Sequence, residues 1–583
     1  MTTSNQYDYL NRLTQISSQP SGTGVPPVSF NYGYNPANQR TKDTLADGSY
    51  WVYNYDTLGQ VITGHKYFYD NSPVPGQQFD YTFDTVGNRT QTKAGGDQTG
   101  GNQRIANYSA NTLNQIVSRD YPGTNDVVGV ALATNGVKVN GQTAFHKGEY
   151  FWGAVSTNNT ASAKWQQVTV ASGGGSTAGG MYVPKTPEQF KYDADGNLTN
   201  DGHWTYRWDA ENRLVAMTNN TGVGPLYGLA FAYDAKGRRI QKVATTNGTA
   251  FTTQNFLYDG WNLLATLNPQ SSILQSFMWG GDLSGSMQGA GGVGGLLAVT
   301  YNGSVTTNCF VAFDANGNVA SLVNAANGTT VASYEYGPFG EVIRATGPMA
   351  KVNPFTFQTE YYDWETDKIY WKHRYYDPSP GRWASIDPFD EPGFGGRKDA
   401  ILPREDLEKL NLLDSDDDVQ ELIDKASAQH VTSQNLYVMV NNDPIQNVDL
   451  YGLVCGVVAD RTKALMSSGI NAGHEWLEYG GTSVGFWPNR GYVVLRPDPA
   501  AQAGVPVYWQ WDTVQKKSGT LKWGSAAGTP CSCATCDQII ASLNAVPNPG
   551  WHSFPIRNNC RRFVKWALDG SCLSKGKETS FNP

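Results

Sequence analysis

Tyr55-Asp56-Thr57-Leu58-Gly59-Gln60-Val61 is one copy of a pattern that returns along much of the chain. Other copies are Tyr7-Asp8-Tyr9-Leu10-Asn11-Arg12-Leu13, Phe83-Asp84-Thr85-Val86-Gly87-Asn88-Arg89 and Tyr192-Asp193-Ala194-Asp195-Gly196-Asn197-Leu198. Trp208-Asp209, Tyr233-Asp234 and Phe313-Asp314 open three more. Each supplies an aromatic strand end, an Asp that can bond the turn backbone, a Gly or Asn able to take positive φ, and usually an apolar residue re-entering a strand. Each copy therefore reads as a β-hairpin. One hairpin cannot bury its own face, so the copies must pair side by side into an extended sheet with stacked aromatics.

Composition agrees with many short strands. Tyr, Trp and Phe reach 12% of the 583 residues, Gly numbers 64, and only 16% are charged, a balance that favours tight turns over helices. No apolar run is long enough for a spanning helix, and Met1-Thr2-Thr3-Ser4-Asn5-Gln6 lacks the basic and apolar regions of a signal peptide. The net charge of -8 is unevenly spread. Residues 454–583 carry 13 Lys and Arg against 8 Asp and Glu, about +5, and the preceding part is about -13. That suits two modules with different partners, but +5 is too mild to argue a nucleic-acid partner, and none is expected.

The repeats over residues 1–360 resemble the RHS/YD-repeat family, whose strands wind into a shell around a hollow interior. The resemblance implies a mainly β fold, a partial or closed YD-repeat shell followed by a core plug, although the chain starts inside a repeat at Tyr7. Residues 118–188 break the pattern with alternating stretches such as Val137-Lys138-Val139 and Trp165-Gln166-Gln167-Val168. They read as a small inserted β-sandwich whose aromatics serve core packing or, as an alternative, carbohydrate binding. Ser284 to Gly295 is glycine-rich but lacks the Lys-Ser/Thr of a phosphate loop, and reads as a flexible hairpin. No motif calls for a cofactor.

A border follows. Arg374-Tyr375-Tyr376-Asp377-Pro378, Gly381-Arg382-Trp383, Asp387-Pro388 and Asn435-Leu436-Tyr437 through Asp449 look like the RHS-repeat-associated core, here residues 361–453. In that family the core plugs the shell and acts as an aspartic self-protease. The resemblance makes Asp387 and Asp449 the paired carboxylates, with Arg382 close by and the cut beside Leu453. The pattern departs at Asp390, at Leu450 in place of Pro, and in an insertion over 398–433 that reads as two short helices, the second starting at the acidic run Asp414 to Asp418. The acidic run fails the calcium-loop pattern.

Residues 454–583 are a different kind of sequence. Gly473 to Tyr479, Thr482 to Asn489 and Gly491 to Leu495 alternate like strands. Asn558-Asn559-Cys560 precedes a stretch of helical spacing ending at Gly570, so Cys560 sits at a helix start that favours the thiolate. The order strand-His, then Asn-Cys-helix, resembles the permuted papain-like enzymes of the NlpC/P60 superfamily. In that scheme His474 is the base for Cys560, and Asn489 or Ser483 orients the imidazole. Cys531, Cys533 and Cys536 stand as a weak alternative metal site beside disulfides or free thiols.

The leading expectation is an RHS-type effector, secreted or delivered into a target cell, whose shell encloses a Cys-His hydrolase or acyltransferase released by self-cleavage. Its substrates would be a target-cell protein, peptidoglycan or lipid, with an immunity protein and secretion components as partners. The alternative is a cell-surface YD-repeat adhesion or recognition protein with a non-catalytic, disulfide-bonded C-terminal domain.

Overall fold

The structure is a computed structural model. It describes residues 1–387 apart from 23, 220 and 221, residues 435–449, and the strands Val457–Val458, Trp476–Tyr479, Thr482–Trp487 and Tyr492–Arg496. By its contacts the chain forms two units, one of Met1–Gly395 with Gln429–Asp460 and one of Gly396–Ala428 with Arg461–Pro583.

The first unit is built from two long antiparallel meanders. An 11-stranded sheet runs in chain order from Thr2–Tyr7 to Ile116–Arg119 and is closed at one edge by Glu188–Gln189. A 14-stranded sheet then runs from Lys191–Tyr192 to Val342–Thr346. The mainly β fold of repeat hairpins paired side by side is as expected.

The turn chemistry of each repeat is visible at Asp56. Its main chain bonds Gln60 and Gly59, while one carboxylate oxygen accepts the N–H groups of Leu58 and Gln60, both at 2.9 Å, and the other accepts the Gln60 side chain at 2.8 Å. Gly59 takes φ +84°, a conformation that a Cβ disfavours. A bulge follows, with Asn54 facing Thr63 but Tyr55 facing Val61. Asp8, Asp84, Asp193, Asp209, Asp234 and Asp314 repeat the arrangement.

The aromatic of the repeat has a second task besides burial. Tyr55 donates its hydroxyl to Arg40 O at 2.6 Å, Tyr233 to Leu214 O at 2.6 Å, and Trp208 donates Nε1–H to Leu198 O at 2.8 Å. Each acceptor lies just past the preceding repeat's turn. An apolar ring with one polar tip thus stitches neighbouring hairpins while filling the core.

The insertion forms two small sheets. One has 3 strands, Thr124–Val130, Tyr150–Ser156 and Phe145–Lys147; the other has 4, with Val137–Val139 and Lys164–Ser172 at its centre and Gly175–Val183 at one edge. Val137, Val139, Phe151 and Val155 share one core, and the Trp152 indole bonds Asp126 at 2.7 Å. Of the aromatics here, Tyr150 and Phe151 are buried and Trp152 and Trp165 are half-buried.

The glycine-rich stretch connects the antiparallel pair Ile273–Trp279 and Leu296–Asn302, as the expected hairpin does. Buried Asp282 gathers it: one oxygen accepts Ser284 N–H and O–H, the other the N–H groups of Ala290 at 2.6 Å and Gly292 at 3.1 Å. The carboxylate substitutes for the side-chain packing that glycines lack. The helical readings over 398–433 lie outside the described residues. In the second unit, Trp476–Tyr479, Thr482–Trp487 and Tyr492–Arg496 form one antiparallel sheet. Among the described residues no helix is long and apolar enough to cross a membrane.

Candidate active site in the core

After the long sheets, Tyr361–Asp363, Lys368–Trp371, Arg374–Asp377 and Arg382–Trp383 form a 4-stranded antiparallel sheet in which every residue is buried. Phe357, Tyr362, Trp371, Tyr376, Trp383 and Met439 pack together around it. Burying charges in such surroundings demands partners. Asp363 takes Arg239 at 2.6 Å and Lys242 at 2.9 Å, which hold its carboxyl below the usual range against the opposing effect of burial. Arg239 is itself enclosed by the rings of Phe231, Phe256, Tyr361 and Tyr370.

The segment 435–449 is fastened to turns of both long sheets. Asn442 donates to the Gln60 side chain at 2.8 Å and Gly87 O at 3.0 Å, and Arg40 donates to Ile445 O at 2.8 Å. Asn316 donates to Pro444 O at 2.6 Å, and Tyr437 donates its hydroxyl to Gly196 O at 2.8 Å. These bonds carry Asp449 back to the sheet that ends near Asp387.

There the two aspartates meet. Asp387 lies 3.0 Å and Asp449 3.4 Å from the same Nη2 of Arg374, and all three side chains are almost wholly buried, at 2–3% exposure. The Arg374 guanidinium stacks 4.0 Å from the Trp383 ring centre. The Asp449 main chain is held as well: Gln358 Oε1 accepts its N–H at 3.2 Å and Trp371 Nε1–H donates to its carbonyl at 2.8 Å. Close by, Glu360 pairs with Lys372. Burial pushes Glu360 up to about 7 against the pull of Lys372, and Asp449 adds to the rise. Burial holds His373 down to about 3, reinforced by Lys372 and Arg374. The arrangement places two buried carboxylates on one cation.

The expected pair Asp387 and Asp449 is thus brought together. Arg382 lies in the same core sheet, where it bonds Asn435 at 2.7 Å and Asn88 at 2.8 Å, and burial lowers it to about 10. Arg374, given no role from sequence, is the arginine between the carboxylates. The signal was available in principle, since two buried acids need a cation, but Lys372, Arg374 and Arg382 were equally eligible by spacing. Leu453, His474, Asn489, Cys560, Cys531, Cys533 and Cys536 lie outside the described residues. Ser483 falls on Thr482–Trp487, paired with Glu478 and Arg496. Among the described residues no group of His, Cys, Asp and Glu could hold a metal.

Residues 180–393 match the Teneurin YD-shell family model. The tRNA3(Ser)-specific nuclease WapA of Bacillus spizizenii is 31% identical over 265 residues, which span 45% of this chain and 9% of that protein. Toxin protein Tse5 of Pseudomonas aeruginosa is 24% identical over 391 residues, 61% of this chain and 26% of that protein. The crystal structure of TcdB2-TccC3-Cdc42 is 16% identical, covers 80% of this chain and 21% of that one, and has a TM-score of 0.34. The chain therefore spans about a tenth to a quarter of the length of these curated relatives. Residues 180–393 are thus similar to the Teneurin YD-shell family, and the chain is similar to proteins named as toxins and nucleases.

Proposed function

We propose that the chain is a YD-repeat effector whose core cuts its own backbone beside Leu453 and so frees residues 454–583. The observation that carries this reading is the meeting of Asp387 and Asp449 on one nitrogen of Arg374, in a buried site a few residues before Leu453. Two carboxylates this close favour a proton on one of them, and Arg374 steadies the charge of the other. In hydrolysis the ionised partner takes a proton from water as the water oxygen bonds the carbonyl carbon. The protonated partner returns a proton to the departing amine as the C–N bond breaks.

The freed segment acts on a target cell into which it is delivered. Its proposed chemistry is nucleophilic attack by Cys560, with His474 as base and Asn489 or Ser483 as orienting group, on amide or ester bonds of protein, peptidoglycan or lipid. A second reading has a specific basis: relatives of this chain are named tRNA nucleases. RNA therefore enters as a substrate class that the charge reading had set aside.

Expression of the full chain tests both steps. The parent is expected as two fragments by intact mass, and Asp387→Asn and Asp449→Asn as single chains of 63.6 kDa. A parent that stays whole under native conditions overturns the self-cleavage reading. Loss of growth inhibition in Cys560→Ala supports the thiol chemistry; inhibition retained with tRNA degradation supports the nuclease.

A further inference from the structure

Asp449 is held by more than its carboxylate. Gln358 spans the two ends of its approach, accepting Asp449 N–H at 3.2 Å and donating Nε2–H to Asn447 O at 3.0 Å. The Trp371 indole N–H reaches the Asp449 carbonyl oxygen at 2.8 Å. That oxygen belongs to the peptide bond leading out of Asp449 toward Leu453. With its N–H, its C=O and its carboxylate each engaged by a different side chain, Asp449 retains little freedom about its backbone.

The holders are themselves over-determined. Gln358 is fully buried with φ +47°, beside Thr359 at +57°, and Lys372 directly after Trp371 takes +41°. Left-handed backbone at non-glycine residues persists only where the surroundings enforce it. At Gln358 and Thr359 the repeat turn Asp314–Asn318 does so: Gln358 N–H bonds Asn318 Oδ1 at 2.8 Å and Thr359 Oγ1 donates to Gly317 O at 2.7 Å. A long-sheet turn is thereby linked, through Gln358, to the main chain of Asp449.

We infer that Gln358 and Trp371 are positioning residues for the self-cleavage, fixing the Asp449 backbone so that its carboxylate meets Arg374. The inference rests on the self-cleavage reading above. Productive geometry of this kind is sensitive to displacements of about 1 Å, which can cost up to about 100-fold in rate.

The test follows cleavage of the full chain by intact mass over time, with a thermal melt on each protein. Trp371→Phe keeps the ring and removes the N–H; Gln358→Met keeps length and removes both bonds. Each is expected to slow cleavage by about 10- to 100-fold. Trp208→Phe is the matched control, because it removes an indole bond to a backbone carbonyl in the shell; its melt falls comparably while its cleavage rate does not change. Parental rates in both core variants, or equal slowing in Trp208→Phe, overturn the positioning role and leave self-cleavage standing. An uncut parent removes the self-cleavage reading and this inference with it.

Discussion

Asp84 and Asp449 are the same residue in two regimes. Asp84, in a repeat turn, spends its oxygens on Val86 N–H, Asn88 N–H and the Asn88 side chain, all within 4 residues and between 2.8 and 3.0 Å. Asp449 shares Arg374 with Asp387, and these partners lie more than 60 residues away in sequence. The first carboxylate shapes its own turn; the second depends on the whole fold for its partner. Local aspartates build the sheets, and distant ones are placed by them.

Removing the shared cation strikes this contrast hardest. Arg374→Met leaves Asp387 and Asp449 buried without it, and a broken buried pair typically costs about 3 to 5 kcal/mol. The expected outcome is the largest loss in urea-unfolding stability of the substitutions considered, together with loss of cleavage. A loss no larger than that of a turn variant would erase the distinction between the two regimes.

Asp84→Ala is the corresponding change in a turn. It removes three charge-assisted bonds that water can partly replace at a partly exposed site, so about 1 to 2 kcal/mol is expected. Cleavage of the full chain continues at the parental rate, because the shell loses one local brace among many. Chemical unfolding measures the first quantity and intact mass the second.

The same contrast explains what the sequence disclosed. Tyr55-Asp56 through Val61 announces its hairpin because every bond of the turn falls within 4 residues of Asp56. Even there the Gln60 side chain on Asp56, and the Tyr55 hydroxyl on Arg40, went unread, since a repeat motif shows spacing but not which tip meets which carbonyl. Asp387 and Asp449 were found by resemblance. Arg374, Gln358 and Trp371 were not, because their roles arise from chain segments that only the assembled sheets bring together. The glycine-rich stretch near Asp282 shows the reverse case: its composition suggests looseness, yet one buried carboxylate organises it.

The subtlest test concerns pH. Glu360 has a folded value of about 7 against an ordinary 4.5, so the folded state holds that proton more tightly. Its contribution is fully present below pH 4.5 and is lost as pH rises through about 7. His373, held at about 3 against 6.5, works oppositely: its contribution is present above 6.5 and is lost as pH falls toward 3. Between 4.5 and 6.5 the two slopes therefore oppose each other. Glu360→Gln should make stability rise more steeply with pH across that window than in the parent, and His373→Gln should make it rise less. Urea titrations at several pH values decide the matter, and an unaltered slope in Glu360→Gln would mean that this carboxyl does not sense the burial and the Asp449 charge that raise it.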